Sequence, residues 1–170
     1  MSDMPLVVAP ESLGARADPR LEPLVEWLAA HRPWFDAQLA SHGAIALRGF
    51  EIGTMAAFQR VVAALGQPVG RYLGGVSSRT DLGGDVQTST NYPGHEPVRL
   101  HNEFAHAPRR PERILLFALA PSEVDGETTV ADGRRIAAAL DPELRARFAA
   151  SGLGYFWTYL ARPDSGLARL

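Results

Sequence analysis

Val98-Arg99-Leu100-His101-Asn102-Glu103-Phe104 is the stretch from which the rest of the chain is read. Side chains alternate along an extended strand, so His101 and Glu103 fall on one face. An imidazole and a carboxylate on one face are two of the three donors of a facial triad. That arrangement holds non-haem Fe(II) and leaves coordination positions open. The same spacing also fits a surface strand with two polar side chains turned to solvent. A third donor would be a His far downstream, and none follows His106.

Outward from this stretch, the pattern is one of short elements. Pro108 and Pro111 bracket a turn, and Ile114–Leu119 is a continuous apolar run that predicts a strand buried on both faces. Asp125-Gly126 marks a second turn before a short strand over Glu127–Ala131. Asp141 followed by Pro142 predicts a capped helix that runs to Ser151 and stops at Gly152. Tyr155, Trp157 and Tyr159 then alternate as on a strand. Upstream, Leu6–Ala9 reads as extended. Leu21, Leu24, Val25 and Leu28 mark one helix face. Pro33 interrupts that helix, and a second one with Trp34, Phe35 and Leu39 follows. Gly43–Arg48 is a short apolar strand ended by Gly49. Thr54 caps a helix whose face is Phe58, Val61, Val62 and Leu65, and Gly66 ends it. Residues 66–97 are rich in Gly, Ser and Thr, which fits a binding loop and a mobile surface loop equally well. Helices first and short strands after predict an α+β fold around a mainly antiparallel sheet.

A chain of 170 residues is one domain with room for a core. A net charge of -2 offers no electrostatic case for nucleic acid or an anionic membrane. All 17 basic residues are Arg, which with the many Ala, Gly and Pro residues reflects a GC-rich coding bias. The absence of Cys excludes disulfides, thiolate nucleophiles and Cys-ligated metal centres. No signal peptide or bilayer-length apolar run is visible, so the cytoplasm is the expected compartment. Without Lys there is no P-loop, and neither a dinucleotide-binding glycine motif nor a serine-hydrolase elbow occurs. Glu123 and Asp125 read as solvated turn residues, and His106 reads as a turn residue rather than a ligand. His31 and His42 sit at helix edges, and the role of His95 is open.

The segment from Arg79 to Ile136 closely resembles the TauD/TfdA family of Fe(II)- and 2-oxoglutarate-dependent dioxygenases. It contains Arg79-Thr-Asp-Leu-Gly-Gly-Asp-Val-Gln-Thr-Ser-Thr-Asn-Tyr-Pro93, Leu100-His-Asn-Glu-Phe-Ala-His106, Ile114-Leu-Leu-Phe-Ala-Leu-Ala-Pro121 and Asp125-Gly-Glu-Thr-Thr-Val-Ala-Asp-Gly-Arg-Arg-Ile136. Within that family the likeness is to a branch acting on amino-acid-like substrates, some tethered to carrier proteins. The resemblance implies N-terminal helices plus part of a double-stranded β-helix, or jelly-roll, in a single domain over residues 1–170. It implies His101 and Glu103 as iron ligands, with Glu standing where many members carry Asp. It implies Thr128 as a hydrogen-bond partner of 2-oxoglutarate. Arg79 and Thr88-Ser89-Thr90-Asn91 match a loop near the active site, with no definite role carried over.

The resemblance also sets a departure. The family's distal His, and the Arg that pairs with the far carboxylate of 2-oxoglutarate, lie beyond residue 170, and Arg162 and Arg169 come too early. The chain therefore reads as a C-terminally truncated, incomplete dioxygenase domain with little or no turnover of its own. The alternatives are a non-catalytic remnant acting as a binding module, and half of a site completed by a second chain. An incomplete sheet leaves unpaired edges, so self-association or a partner chain is the implied way to cover them.

Overall fold

The computed structural model describes residues 4–66, 70, 79–84, 86–89, 97–107 and 110–156, apart from the side chains of residues 15 and 16. Its ordered centre is a crossover between two parallel strands. β1 (Leu6–Val8) pairs with β2 (Ile45–Leu47) in the register Leu6 with Ile45, Val7 with Ala46 and Val8 with Leu47. Bonds from Leu6 N to Ala44 O (2.9 Å) and from Arg48 N to Val8 O (3.0 Å) extend the ladder at both ends. Between the strands lie a 3-10 segment, Pro10–Arg16, and two helices, α1 (Leu21–Ala30) and α2 (Arg32–His42). A third helix, α3 (Met55–Ala64), follows β2.

The apolar spacing of α1 explains its packing. Leu24 and Leu28, four residues apart on one face, are fully buried, and Pro23 sits in the first turn, where its missing N–H costs nothing. Pro33 occupies the same tolerated place in α2, so it starts that helix as much as it ends the previous one. Thr54 caps α3, its hydroxyl oxygen accepting from Ala57 N at 3.1 Å. Leu24, Leu28, Phe35, Val61, Ala64 and Leu65 form one buried cluster, and Ile45, Leu47, Phe50 and Ile52 pack against it. Polar contacts fasten its rim. Glu22 and Arg60 pair between α1 and α3, and Arg32 Nε donates to Ala64 O at 2.7 Å. The chain leaves α3 through Gly66 at φ +71, where an added Cβ would lie 2.5 Å from the Arg32 guanidinium carbon. The left-handed backbone therefore favours glycine there, and a side chain would also displace the Arg32 guanidinium.

The second half attaches through separate contacts. Residues 80–84 and 86–88 flank a small hairpin with an Asp81–Gln87 bridge, and Gln59 Nε2 on α3 donates to Gly83 O at 2.9 Å. Arg113 pairs with Asp36 of α2 at 2.6 Å, and Phe117 stacks on Phe58 at 5.1 Å between ring centres. Two further helices follow, α4 (Gly133–Ala139) and α5 (Pro142–Ser151). Asp132 caps α4 through Arg134 N, and Arg134 donates to Ala40 O (2.8 Å) and Ser41 O (3.0 Å) in the last turn of α2. A cation on those unsatisfied carbonyls is a favourable end to a helix. Asp141 caps α5 through Glu143 N and Leu144 N, as its sequence predicts.

The helix-plus-sheet reading holds in a coarser form than expected. The sheet among the described residues is parallel and two-stranded rather than mainly antiparallel. Residues 98–104, 114–119 and 127–131 are not laddered strands: the first bends into a turn at 103–106, and the other two have no strand partner among the described residues. The physical reason is that β-propensity is realised only against a neighbouring strand and a covered face. Ile114, Leu116, Leu119 and Val130 are instead exposed. The alternation at Tyr155, Trp157 and Tyr159 falls largely outside the described residues, as do Thr90, Asn91, His95, Arg162 and Arg169. α4 is an element that the sequence pattern does not announce. No helix among the described residues is long and apolar enough to cross a membrane.

Leu24→Ala is expected to lower the unfolding free energy by about 2–5 kcal/mol, read as a shift in the urea midpoint. The acid side is set by paired carboxylates. Arg60 holds the Glu22 carboxyl below its ordinary range, and Arg20 holds that of Asp18 down at about 2. Groups depressed in the folded state contribute stability at neutral pH and lose it as pH falls through the folded value. Stability should therefore decline between about pH 4 and about pH 2, and Glu22→Gln should make that decline shallower.

Candidate metal centre

His101 and Glu103 do meet, although not on a strand. Residue 101 lies in irregular backbone and residue 103 opens a turn closed by bonds from Ala105 N to Asn102 O (3.2 Å) and from Ala107 N to Phe104 O (2.9 Å). Phe104 turns the chain with φ +55, a left-handed conformation that costs a non-glycine residue energy. The outcome is an imidazole and a carboxylate on one side of a bend, with His101 Nε2 at 3.5 Å from Glu103 Oε2.

The hydrogen bonds around the pair define which atoms can bind. His101 Nδ1 lies 2.7 Å from Arg99 O. A carbonyl oxygen only accepts, so Nδ1 carries the proton and donates. With Nδ1 so engaged, Nε2 is the ring nitrogen that faces Glu103. Metal-binding histidines are commonly fixed in this way by a backbone carbonyl on the other nitrogen. On the far side of the carboxylate, Arg79 Nη2 donates to Glu103 Oε1 at 3.2 Å. Arg79 and Glu103 are about four-fifths buried, and the His101 side chain is 59% exposed. The pair is open to solvent on the imidazole side and covered on the carboxylate side.

These donors suit a divalent cation of intermediate softness such as Fe(II). They comprise one imidazole nitrogen with its lone pair free and one carboxylate oxygen facing it, with no thiolate. Nitrogen and oxygen ligands at about 2.1 Å from a shared ion stand about 3 Å apart when adjacent, close to the separation here. No group of three His, Cys, Asp or Glu side chains gathers among the described residues, so two donors are what this region supplies.

Thr128 is exposed in the irregular stretch after the Asp125-Gly126 turn, and no hydrogen bond joins it to His101, Glu103 or Arg79 among the described residues. Asp125 has φ +58 and Gly126 φ +86, confirming the turn there. His106 sits in the turn after Phe104, its ring 6.0 Å from that of Phe104 and 6.3 Å from that of Tyr155. His31 ends α1, donating from Nδ1 to Trp27 O and stacking on the Trp27 ring. Thr88 closes the 80–88 hairpin, its hydroxyl accepting from Thr80 N at 2.9 Å. Reading by spacing misses the Arg79–Glu103 contact, because the partners are 24 residues apart and no periodicity links them.

An imidazole with one nitrogen tied to the backbone thus faces a carboxylate held by an arginine. Residues 7–164 match the Taurine catabolism dioxygenase TauD, TfdA family. The chain belongs to that family. It is 32% identical over 126 residues to the dapdiamide synthesis protein DdaC of Enterobacter agglomerans, covering 74% of this chain and 38% of that protein. It is 27% identical over 127 residues to a clavaminate synthase-like protein of Arabidopsis thaliana, with coverage again of 74% and 38%. The chain thus spans well under half the length of these relatives.

The turn offers a test of its own. Phe104→Ala keeps the left-handed backbone strain and loses the ring, whereas Phe104→Gly loses the ring and relieves the strain. The glycine variant is expected to be the more stable of the two by about 1 kcal/mol in urea unfolding.

Proposed function

We propose that this chain carries the His-x-Glu half of an Fe(II)- and 2-oxoglutarate-dependent dioxygenase site, with His101 and Glu103 as metal ligands. The observation that carries the reading is the 3.5 Å approach of Nε2 to Oε2, with Nδ1 committed to Arg99 O. Membership of the TauD/TfdA family supports it. Fe(II) bound with 2-oxoglutarate and O2 would supply the oxidising power for hydroxylation. The chain's own residues have simpler tasks. His101 offers one neutral nitrogen, Glu103 brings the negative charge that favours the cation, and Arg79 and the turn at Phe104 keep the carboxylate in place. Thr128 is assigned to the 2-oxoglutarate carboxylate.

Residues 1–170 act, in this reading, as one incomplete domain of the jelly-roll type. Support comes from the apolar side chains exposed along residues 114–156, among them Leu116, Val124 and Phe156, which a laddered and covered sheet would bury. Further polypeptide, from this protein or from a partner or second copy, would supply those strands, a third metal ligand and an anchor for the far carboxylate of 2-oxoglutarate. The substrate class is a small amino-acid-like molecule, free or carrier-tethered, in keeping with the role in dapdiamide synthesis that the name of the bacterial relative states for that protein.

Anaerobic titration of the purified chain with Fe(II) and 2-oxoglutarate tests the assignment through the visible charge-transfer band of the chelate. A band that vanishes in His101→Ala is the expected result, and a folded chain that gives none sinks the reading for this polypeptide. Turnover by the isolated chain is expected to be negligible, because two protein donors hold Fe(II) weakly. Succinate release above the metal-only blank would contradict that expectation.

A further inference from the structure

We propose that Arg79 is the positioning residue of Glu103. It occupies one carboxylate oxygen so that Glu103 offers a single oxygen, Oε2, beside the lone pair of His101 Nε2. The inference rests on the ligand assignment above and adds to it the mode of binding and the residue that sets it. The two carboxylate oxygens have different partners. Oε1 accepts from Arg79 Nη2 at 3.2 Å, and Oε2 faces His101 Nε2 at 3.5 Å. A free carboxylate can grip a cation with both oxygens. A charge-assisted bond from a guanidinium to one of them opposes that and fixes the rotation of the group. A one-oxygen Glu103 leaves an additional coordination position for exogenous ligands, which a site built on few protein donors needs.

The delivery of Arg79 is part of the observation. It opens the 80–88 hairpin, which is closed by Thr80–Thr88 and Asp81–Gln87 contacts and held to α3 by Gln59 Nε2 on Gly83 O. Gly84, at φ +59, lets Gln59 approach, since a Cβ there would lie 2.6 Å from the Gln59 amide nitrogen. The N-terminal core thus reaches Glu103 through a chain of contacts from α3 to the hairpin to Arg79. Arg79 and Glu103 are about equally shielded, which strengthens the bond between them relative to a surface pair.

Co(II), whose visible bands report the identity and geometry of its ligands, is the probe. Spectra at saturating Co(II) would be compared for the unaltered chain, His101→Ala, Arg79→Lys and Arg79→Ala, each checked for folding by circular dichroism. The expected result is Co(II) binding that His101→Ala abolishes, bands shifted in position and intensity in Arg79→Ala as Glu103 engages with both oxygens, and recovery of the original bands in Arg79→Lys. If the alanine variant does not fold, Arg79→Gln, which removes the charge and keeps donors, carries the same comparison. Bands unchanged in a folded Arg79→Ala or Arg79→Gln variant overturn the inference and leave the ligand assignment standing. A chain that binds no Co(II), or whose His101→Ala variant binds it unchanged, removes the assignment and the inference together.

Discussion

The contact on which the rest depends is the burial of Leu24 and Leu28 against the face of α3. These two side chains are wholly removed from water, and through Val61, Ala64 and Leu65 they fix α3 relative to α1. Hydrophobic burial has no direction, so rim contacts set the angles. Glu22 with Arg60 ties the helices on one side, and Arg32 ties the start of α2 to the last turn of α3. Once α3 is placed, its outer side becomes a platform. Gln59 holds the 80–88 hairpin and Phe58 receives Phe117. The candidate metal pair lies outside the core but takes its carboxylate orientation from that platform by way of Arg79.

What is legible in the sequence follows from how locally each element is determined. Thr54 and Asp141 announce their helices because a cap bonds backbone two or three residues on. The face of α1 is legible because Leu21, Leu24, Val25 and Leu28 keep helical spacing. The stretches at 114–119 and 127–131 mislead, since an apolar β-branched run specifies a strand only where a neighbour completes the ladder. The 7-residue α4 escapes notice for a related reason. It shows no apolar stripe, and its hold on the body comes from Arg134 reaching carbonyls of α2 more than 90 residues away in sequence. At the site, the pair two residues apart can be found by spacing, and the clamp from Arg79 cannot.

Membership of the TauD/TfdA family and the local geometry speak to different scales. The family match states what the chain is related to, while the arrangement at His101 and Glu103 states which atoms these residues present. They can present one nitrogen and one oxygen to a cation. Along residues 114–156 apolar side chains such as Leu116 and Phe156 are exposed, and no group of three metal-holding side chains gathers among the described residues.

The bond from His101 Nδ1 to Arg99 O spans only two residues. Its tautomer is therefore set by the immediate backbone. The orientation of Glu103, by contrast, depends on a contact with a segment 24 residues earlier. Damage to α3 or to the hairpin would thus reach the carboxylate and bypass the imidazole.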